Sequence, residues 1–312
     1  MARPPKSASK TVLRTRQPKP HHPAPKLNAA MPCDTAFRIV ARRYLKDLSA
    51  SHDATCSGDA TALHQMRIAL THLRTVILFF SPMVDDPIRD QIRAELKWLN
   101  SELGPLRDLD VAIEGIKAMN PDRPEAIPHF QIWLKKRAEG LRQLSRSLRS
   151  IRYRRLIERT SGWIESGPWS TKRNRQAATR RAVPISRYGT EKLAEWEKKL
   201  LAKSCKLHDL GARKRHRLRL LNKKLNYSIE SVSELFGDQR LSKQKIAMKH
   251  LRRAQRSLGQ LNDDVRGREL ALALRREGVK TPLQRLGAKR EKRLLRTTEA
   301  AYRKLAALKP WK

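Results

Sequence analysis

Leu63-His64-Gln65-Met66-Arg67-Ile68-Ala69-Leu70-Thr71-His72-Leu73-Arg74 decides the fold, because two patterns run through it at once. At about 100° per residue, Leu63, Met66, Leu70, Leu73 and, further on, Ile77 share one helix face, while His64, Arg67, Thr71 and Arg74 share a narrow stripe beside it. The reading is an amphipathic helix whose cations border its own core seam. The pattern recurs downstream. His216-Arg217-Leu218-Arg219, then Leu225-Asn226, matches His64-Gln65-Met66-Arg67, then Leu73-Arg74, at 216 − 64 = 152. Leu103-Gly104-Pro105-Leu106-Arg107-Asp108 matches Leu258-Gly259-Gln260-Leu261-Asn262-Asp263 at 259 − 104 = 155. One helical unit used twice predicts an all-α fold, and a pseudo-twofold arrangement of its two halves would follow. In the second copy His216, Arg219 and Lys223 line up, Lys224 flanks them, and Leu218, Leu221, Leu225 and Ile229 hold the other side. Two such stripes facing each other would form a basic central groove.

Working outward, Phe37, Val40, Tyr44 and Leu48 mark an earlier helix. A helix opened by Pro87 carries Ile88, Ile92, Leu96, Leu99 and Leu103, and Gly104-Pro105 is expected to stop it. A fourth helix would then run to Asn120-Pro121, and a fifth from about Glu125 past Leu148. Glycines and prolines between Ser161 and Thr190 predict a connection, so the first half spans about 34–165, the linker about 166–190 and the second half about 191–308. Within the second half, separate helices are expected at about 191–208, 213–236, 242–259, 262–277 and 281–308, and no segment alternates as a strand would.

Charge narrows the function. The 312 residues carry 69 Lys and Arg against 30 Asp and Glu, a formal +39, which points to an anionic partner. Residues 1–30 are rich in proline and basic residues and lack acids, which predicts a disordered basic tail, either a capture arm for polyanions or a solvated appendage. Cys33, Cys56 and Cys205 form no disulfide framework and no metal pair, and neither a secretory signal nor an apolar run of membrane-spanning length is apparent, so a cytoplasmic location without membrane insertion is expected.

Arginine suits phosphate oxygens because it donates bidentate, charge-assisted hydrogen bonds, and lysine adds a compact charge with rotatable donors. Seven residues of helix span about 10 Å, so such a row can follow a linear polymer of charges. Both His64 and His216 fall near a helix start, where unpaired N–H groups favour an anion. A solvated basic face is the bland alternative, and it is retained for His72, His208 and His250, which have no partner in the repeat. For Asp108, Asp110 and Asp263 the expected role is to orient Arg and Lys side chains, with helix-dipole complement as the plainer reading; as metal ligands they are too few.

On these residues the chain resembles the CHAD family, the conserved histidine α-helical domain. The histidine, the arginine three on, the basic pair and the Leu-Arg of that pattern fall on His64, Arg67, Leu73 and Arg74, and again on His216, Arg219, Lys223, Lys224 and Leu225. Its Leu-Gly-x-x-Arg-Asp-x-Asp-Val element falls on Leu103, Gly104, Arg107, Asp108, Asp110 and Val111, and a second copy on Leu258, Gly259, Asn262, Asp263 and Val265. Thr71 and His72 stand in place of the first basic pair and Asn226 in place of the second Leu-Arg arginine, which thins the first copy's cations and suggests help from the tail or from the 172–175 run. The resemblance implies a CHAD-like domain over 31–312, built of two antiparallel helical bundles related by a pseudo-twofold axis about a basic central groove, that binds inorganic polyphosphate through His64, Arg67, Arg74, Arg107, His216, Arg219, Lys223 and Lys224, at polyphosphate or polyhydroxyalkanoate granules. No catalytic residue, cofactor or metal is expected: Glu-x-Glu-x-Lys, G-x-x-x-x-G-K-[ST] and G-x-S-x-G runs are missing from the sequence. Two alternatives stay open, a polyphosphate-processing accessory protein and a non-specific nucleic-acid binder; an aromatic content of 5% argues against base stacking.

Overall fold

The computed structural model describes residues 27–119, 122, 125, 130–171, 175–235, 238–276 and 287–311. Within them the chain is helical throughout: α1 (Cys33–Ala50), α2 (His52–Cys56), α3 (Ala60–Phe79), α4 (Pro87–Met119), α5 (Phe130–Leu148), α6 (Ile151–Ser166), α7 (Pro168–Thr171), α8 (Arg175–Ala182), α9 (Ile185–Ser204), α10 (Ala212–Val232), α11 (Asp238–Arg276) and α12 (Ala288–Leu308). No helix is long and apolar enough to cross a membrane among the described residues. The centre is α3, whose seam of Leu63, Met66, Leu70, Leu73 and Ile77 is buried against α1, α4 and α10. In the second half α10 packs between α9 and α11, and α11 lies along α12.

Two expected breaks are not there. Helix α4 runs unbroken for 33 residues with Pro105 inside it, and α11 for 39 residues across Gly259. An interior proline costs roughly 3 kcal/mol through a lost hydrogen bond and a steric clash. Leu99, Leu103 and Leu106 lie on either side of Pro105 and are all buried, and three buried leucines at about 2 kcal/mol each outweigh that cost. The expected long fifth helix ends at Leu148, because Ser150 caps a new one by accepting the Tyr153 N–H at 3.3 Å. Its expected start near Glu125 borders residues 126–129, which lie outside the described residues.

The expected linker is largely helical, with α7 and α8 inside it and α9 starting already at Ile185. There the chain meets itself: Cys33 N–H donates to Val183 O at 3.0 Å, and Ile185 N–H donates to Met31 O at 2.8 Å. The bridged prolines, Pro32 and Pro184, differ by 184 − 32 = 152, the offset that separates His64 from His216. Each bond is thus repeated with donor and acceptor halves exchanged, the pattern a local two-fold axis produces. At the N-terminus, residues 1–26 of the expected tail lie outside the described residues, but Leu27 belongs to the core, 5% exposed, with its N–H on Glu234 Oε2 at 3.1 Å. Of the basic run at 172–175, only Arg175, the first residue of α8, is described.

A buried carboxylate ties α4 to α6 and α7. Asp86 accepts from Arg89 N–H at 2.8 Å at the start of α4, from Trp163 Nε1 at 2.9 Å and from Trp169 N–H at 3.1 Å. Phe37 packs edge-on against both tryptophan rings. Replacing Asp86 with alanine strands three donors, and Asp86→Ala is expected to lower the unfolding free energy by about 3 kcal/mol. Urea denaturation followed by tryptophan fluorescence measures it; a loss below about 1 kcal/mol would contradict this role.

Candidate functional site

Helix α3 starts at Asp59, whose carboxylate accepts the N–H groups of Thr61 at 2.7 Å and Ala62 at 3.2 Å. Those N–H groups are therefore taken, and an anion at His64 would be met by side chains rather than by the helix terminus. Helix α10 opens at Gly211, which offers no side-chain cap.

Helices α3 and α4 run antiparallel, so their polar stripes form a ladder. At one end the His64 imidazole feels Arg107, whose Nη1 lies 3.1 Å from Glu114 Oε1. One rung on, Arg67 Nη1 donates to Leu103 O at 3.0 Å over the bare backbone of Gly104, where a methyl group would already touch that nitrogen at 3.5 Å. At the far end Arg74 meets Arg93. The second copy builds the same rungs with different chemistry: His216 Nδ1 lies 2.5 Å from Asn262 Oδ1, Arg219 lies over Gly259, and Asn222 Nδ2 is 3.4 Å from Gln255 Oε1.

Where α10 crosses α3, the cations of both copies meet. A cavity of about 450 Å³ is lined by Thr71, Arg74 and Thr75 of α3, Asp90, Arg93 and Lys97 of α4, and Leu220, Lys223 and Lys224 of α10, with Leu78 and Ala94 completing its wall. Burial and Arg93 lower the Arg74 guanidinium from its ordinary range. Burial, then Arg74, Lys199 and Arg93, lower the Lys224 ammonium. Burial also depresses His64, helped by Arg107, Lys223 and Arg67 against the opposing Glu114. The stripes therefore share one field, with Lys223 acting on α3 from the other half.

Of the residues singled out by sequence, Arg74, Lys223 and Lys224 line this cavity, while His64, Arg67 and Arg107 stand along the ladder that leads from it. His216 lines a different cavity of about 410 Å³, among Arg213, Arg215, Asp264 and Glu291. Arg219 is half-buried beside Gly259. Asp108 is half-buried and Asp263 exposed. The carboxylate that braces is Asp110, buried and 2.6 Å from Arg137 Nε, which links α4 to α5 rather than aiming a site cation. Sequence reading missed Arg93 and Lys97. Their four-residue spacing, on the helix face that also carries Gly104 and Arg107, was the available signal.

The departures at Thr71, His72 and Asn226 have local causes. Thr71 Oγ1 donates to Arg67 O at 2.8 Å. Asn226, 3% exposed, donates to Glu230 Oε1 at 3.1 Å. His72 is not a surface residue: it lies between the rings of Tyr44 at 4.5 Å and Tyr227 at 4.0 Å, with Glu230 Oε2 at 3.6 Å from Nε2.

A family model described as CHAD domain matches residues 39–272. Among solved structures, the crystal structure of the CHAD domain from the plant Ricinus communis superposes with a TM-score of 0.68 at 22% identity, covering 91% of this chain and 89% of that one. PptA from Streptomyces chartreusis superposes with a TM-score of 0.53 at 14% identity, covering 89% of this chain and 96% of that one. At such identities the likeness is one of fold. No curated protein sequence matches the chain.

Burial, and then Lys223, lower His72 to about 4. A histidine lowered in the folded state binds fewer protons there than in the unfolded chain between about pH 6.5 and 4, so stability falls with pH across that window. Between about pH 7 and pH 5 this group should cost about 2 kcal/mol. In His72→Phe that component should vanish; denaturation of both proteins at each pH checks the difference, and parallel pH profiles would refute it.

Proposed function

This chain belongs to the CHAD domain family, and on that premise we propose that it binds a linear polyanion, inorganic polyphosphate first, and does so as a binding protein rather than an enzyme. The observation that carries the reading is the convergence of Arg74, Arg93, Lys97, Lys223 and Lys224 from three helices on one cavity, where the only acid among the lining residues is Asp90, 3.2 Å from Arg93 Nη1. Burial and then Arg93 lower Arg74, and burial and then Arg74, Lys199 and Arg93 lower Lys224; a phosphate chain would offset that desolvation and repulsion while filling the guanidinium and ammonium donors. A polymer suits the site better than a single ion, because the ladder continues from Arg74 and Arg93 to His64 and Arg107, ten residues of α3 or about 15 Å.

No aromatic ring lines the cavity, which leaves a nucleic acid its phosphates but nothing on which to stack a base. The site is therefore proposed to prefer polyphosphate over nucleic acid, and polyphosphate-containing granules would be the place where such a protein acts. The reading further pictures the halves as pseudo-twofold related, which the reciprocal bonds at Pro32 and Pro184 support.

Replacing Arg74, Arg93, Lys97, Lys223 and Lys224 together with alanine should weaken long-chain polyphosphate binding at least about a hundredfold and flatten its salt dependence by about four powers of the salt concentration. Titration at several salt concentrations gives both numbers. Displacement of polyphosphate by an equal phosphate concentration of single-stranded DNA, or release of orthophosphate in the presence of magnesium or manganese, would overturn the reading.

Anion binding should also raise the His64 imidazole from its depressed value, so protons are taken up on binding. Affinity should then rise as pH falls from about 8 to 5.5, by up to about tenfold, and less so in His64→Gln. A pH series of the same titrations decides it; an affinity that falls with acidity refutes it.

A further inference from the structure

Helix α4 presents Arg93, Lys97, Gly104 and Arg107 to one side and Gln91, Glu95, Trp98 and Glu102 to the other, about half a turn away. On this second side, away from the groove, α5 carries Arg142 and Arg146 at four-residue spacing, and Arg149 follows just beyond its end. All three are exposed, and with Leu141, Ser145 and Cys56 they line a broad depression of about 780 Å³ between α5 and the end of α2. No acid is among its lining residues.

That composition sets it apart from its neighbours. The adjoining hollow along α6 also holds arginines, but Arg152 is spent on Glu95, with Nε at 2.8 Å and Nη2 at 3.0 Å from its oxygens, and Arg159 Nη2 is 2.7 Å from Gln91 Oε1. The cavity around His216 has Asp264, Glu269 and Glu291 against its cations, with Arg215 held 2.6 Å from Glu291 and Arg268 2.6 Å from Asp264. At the α5 depression the acid that Cys56 feels is Asp53, which sits 2.7 Å from His52 Nδ1. Arg149 interacts with the Cys56 thiol itself, so the concave floor and the cations are one structure. Ser145 Oγ, donating to Cys56 O at 2.9 Å, holds α5 against α2.

We propose that this depression is a second anion site, which takes a phosphate segment through Arg142, Arg146 and Arg149, so that one molecule holds two stretches of polymer on opposite sides of α4. The identity of the polymer rests on the function proposed above; the site itself does not. Three guanidiniums spread over about 10 Å of helix suit successive phosphates better than one. A protein with an anion site on each side cross-links chains, which a single groove cannot do.

Tripolyphosphate is the probe, titrated calorimetrically into the full chain. The expected result is two equivalents for the unaltered protein. Arg142→Ala, Arg146→Ala and Arg149→Ala combined should leave one, with the groove affinity within about twofold. The five-alanine groove variant should keep one as well. Two equivalents retained by the triple variant, or a single equivalent in the unaltered protein that the triple variant also shows, overturns the second site. Loss of binding in the triple variant with none lost in the groove variant supports the second site and sinks the groove instead.

Cys56, 9% exposed and lining the depression, gives a local readout in a Cys205→Ser background, since Cys33 is 0% exposed. Bound tripolyphosphate should slow alkylation of Cys56 about fivefold, also in the groove variant; an unchanged rate counts against occupancy. Vesicles containing anionic phospholipid separate the two phosphate sources. Pelleting that depends on the three arginines, without any change in tripolyphosphate binding, would assign the surface to lipid headgroups and overturn the proposal. With long-chain polyphosphate, the unaltered protein should form light-scattering particles and the triple variant should not.

Discussion

Cations held against one another by apolar packing are the constraint on which the rest of the molecule depends. The seam of α3 is buried on three sides, and each of its large apolar side chains contributes about 2 kcal/mol. Repulsion among the like charges opposes this, weakened by the solvent that Arg93 and Lys224 reach. Packing wins: Arg93 stays close enough to act on Arg74, and both act on Lys224. The cavity between α3, α4 and α10 is thus shaped by the same contacts that build the core.

The two copies of the helical unit share geometry without sharing chemistry. A glycine of the long helix lies under an arginine of the short one in each, at Gly104 with Arg67 and at Gly259 with Arg219. The histidines occupy matching positions, yet His64 faces cations and Arg107 where His216 faces Asn262. One departure from the repeat serves the junction, where His72 of α3 packs between Tyr44 and Tyr227. The others are local: Thr71 Oγ1 donates to Arg67 O within α3, and Asn226 donates to Glu230 within α10.

Helix α4 divides the first half electrostatically. On one side its own Arg93 and Lys97 join the cations of α3 and α10; on the other it packs against α5, which carries Arg142 and Arg146. Between them lie the ion pairs that α4 makes with α5 and α6, Asp110 with Arg137 and Glu95 with Arg152. Among the described residues the carboxylates divide between pairs within a helix, such as Arg93 with Asp90, and pairs that fasten helices, such as Arg42 with Glu165.

The all-helical fold and the repeat were legible in the chain itself, because a 3.6-residue period and a fixed offset are local and additive properties. The alignment of His64, Arg67 and Arg74 along one helix, and of Lys223 and Lys224 along another, was legible for the same reason. Continuity of α4 through Pro105 was not, since local rules penalise it and only burial of Leu99, Leu103 and Leu106 reverses the balance. Nor was the burial of His72, the separation of His216 into its own cavity or the entry of Arg93 and Lys97 into the groove. Each depends on which helix faces which, and that is decided by packing between residues far apart in the chain, where no sequence period reaches.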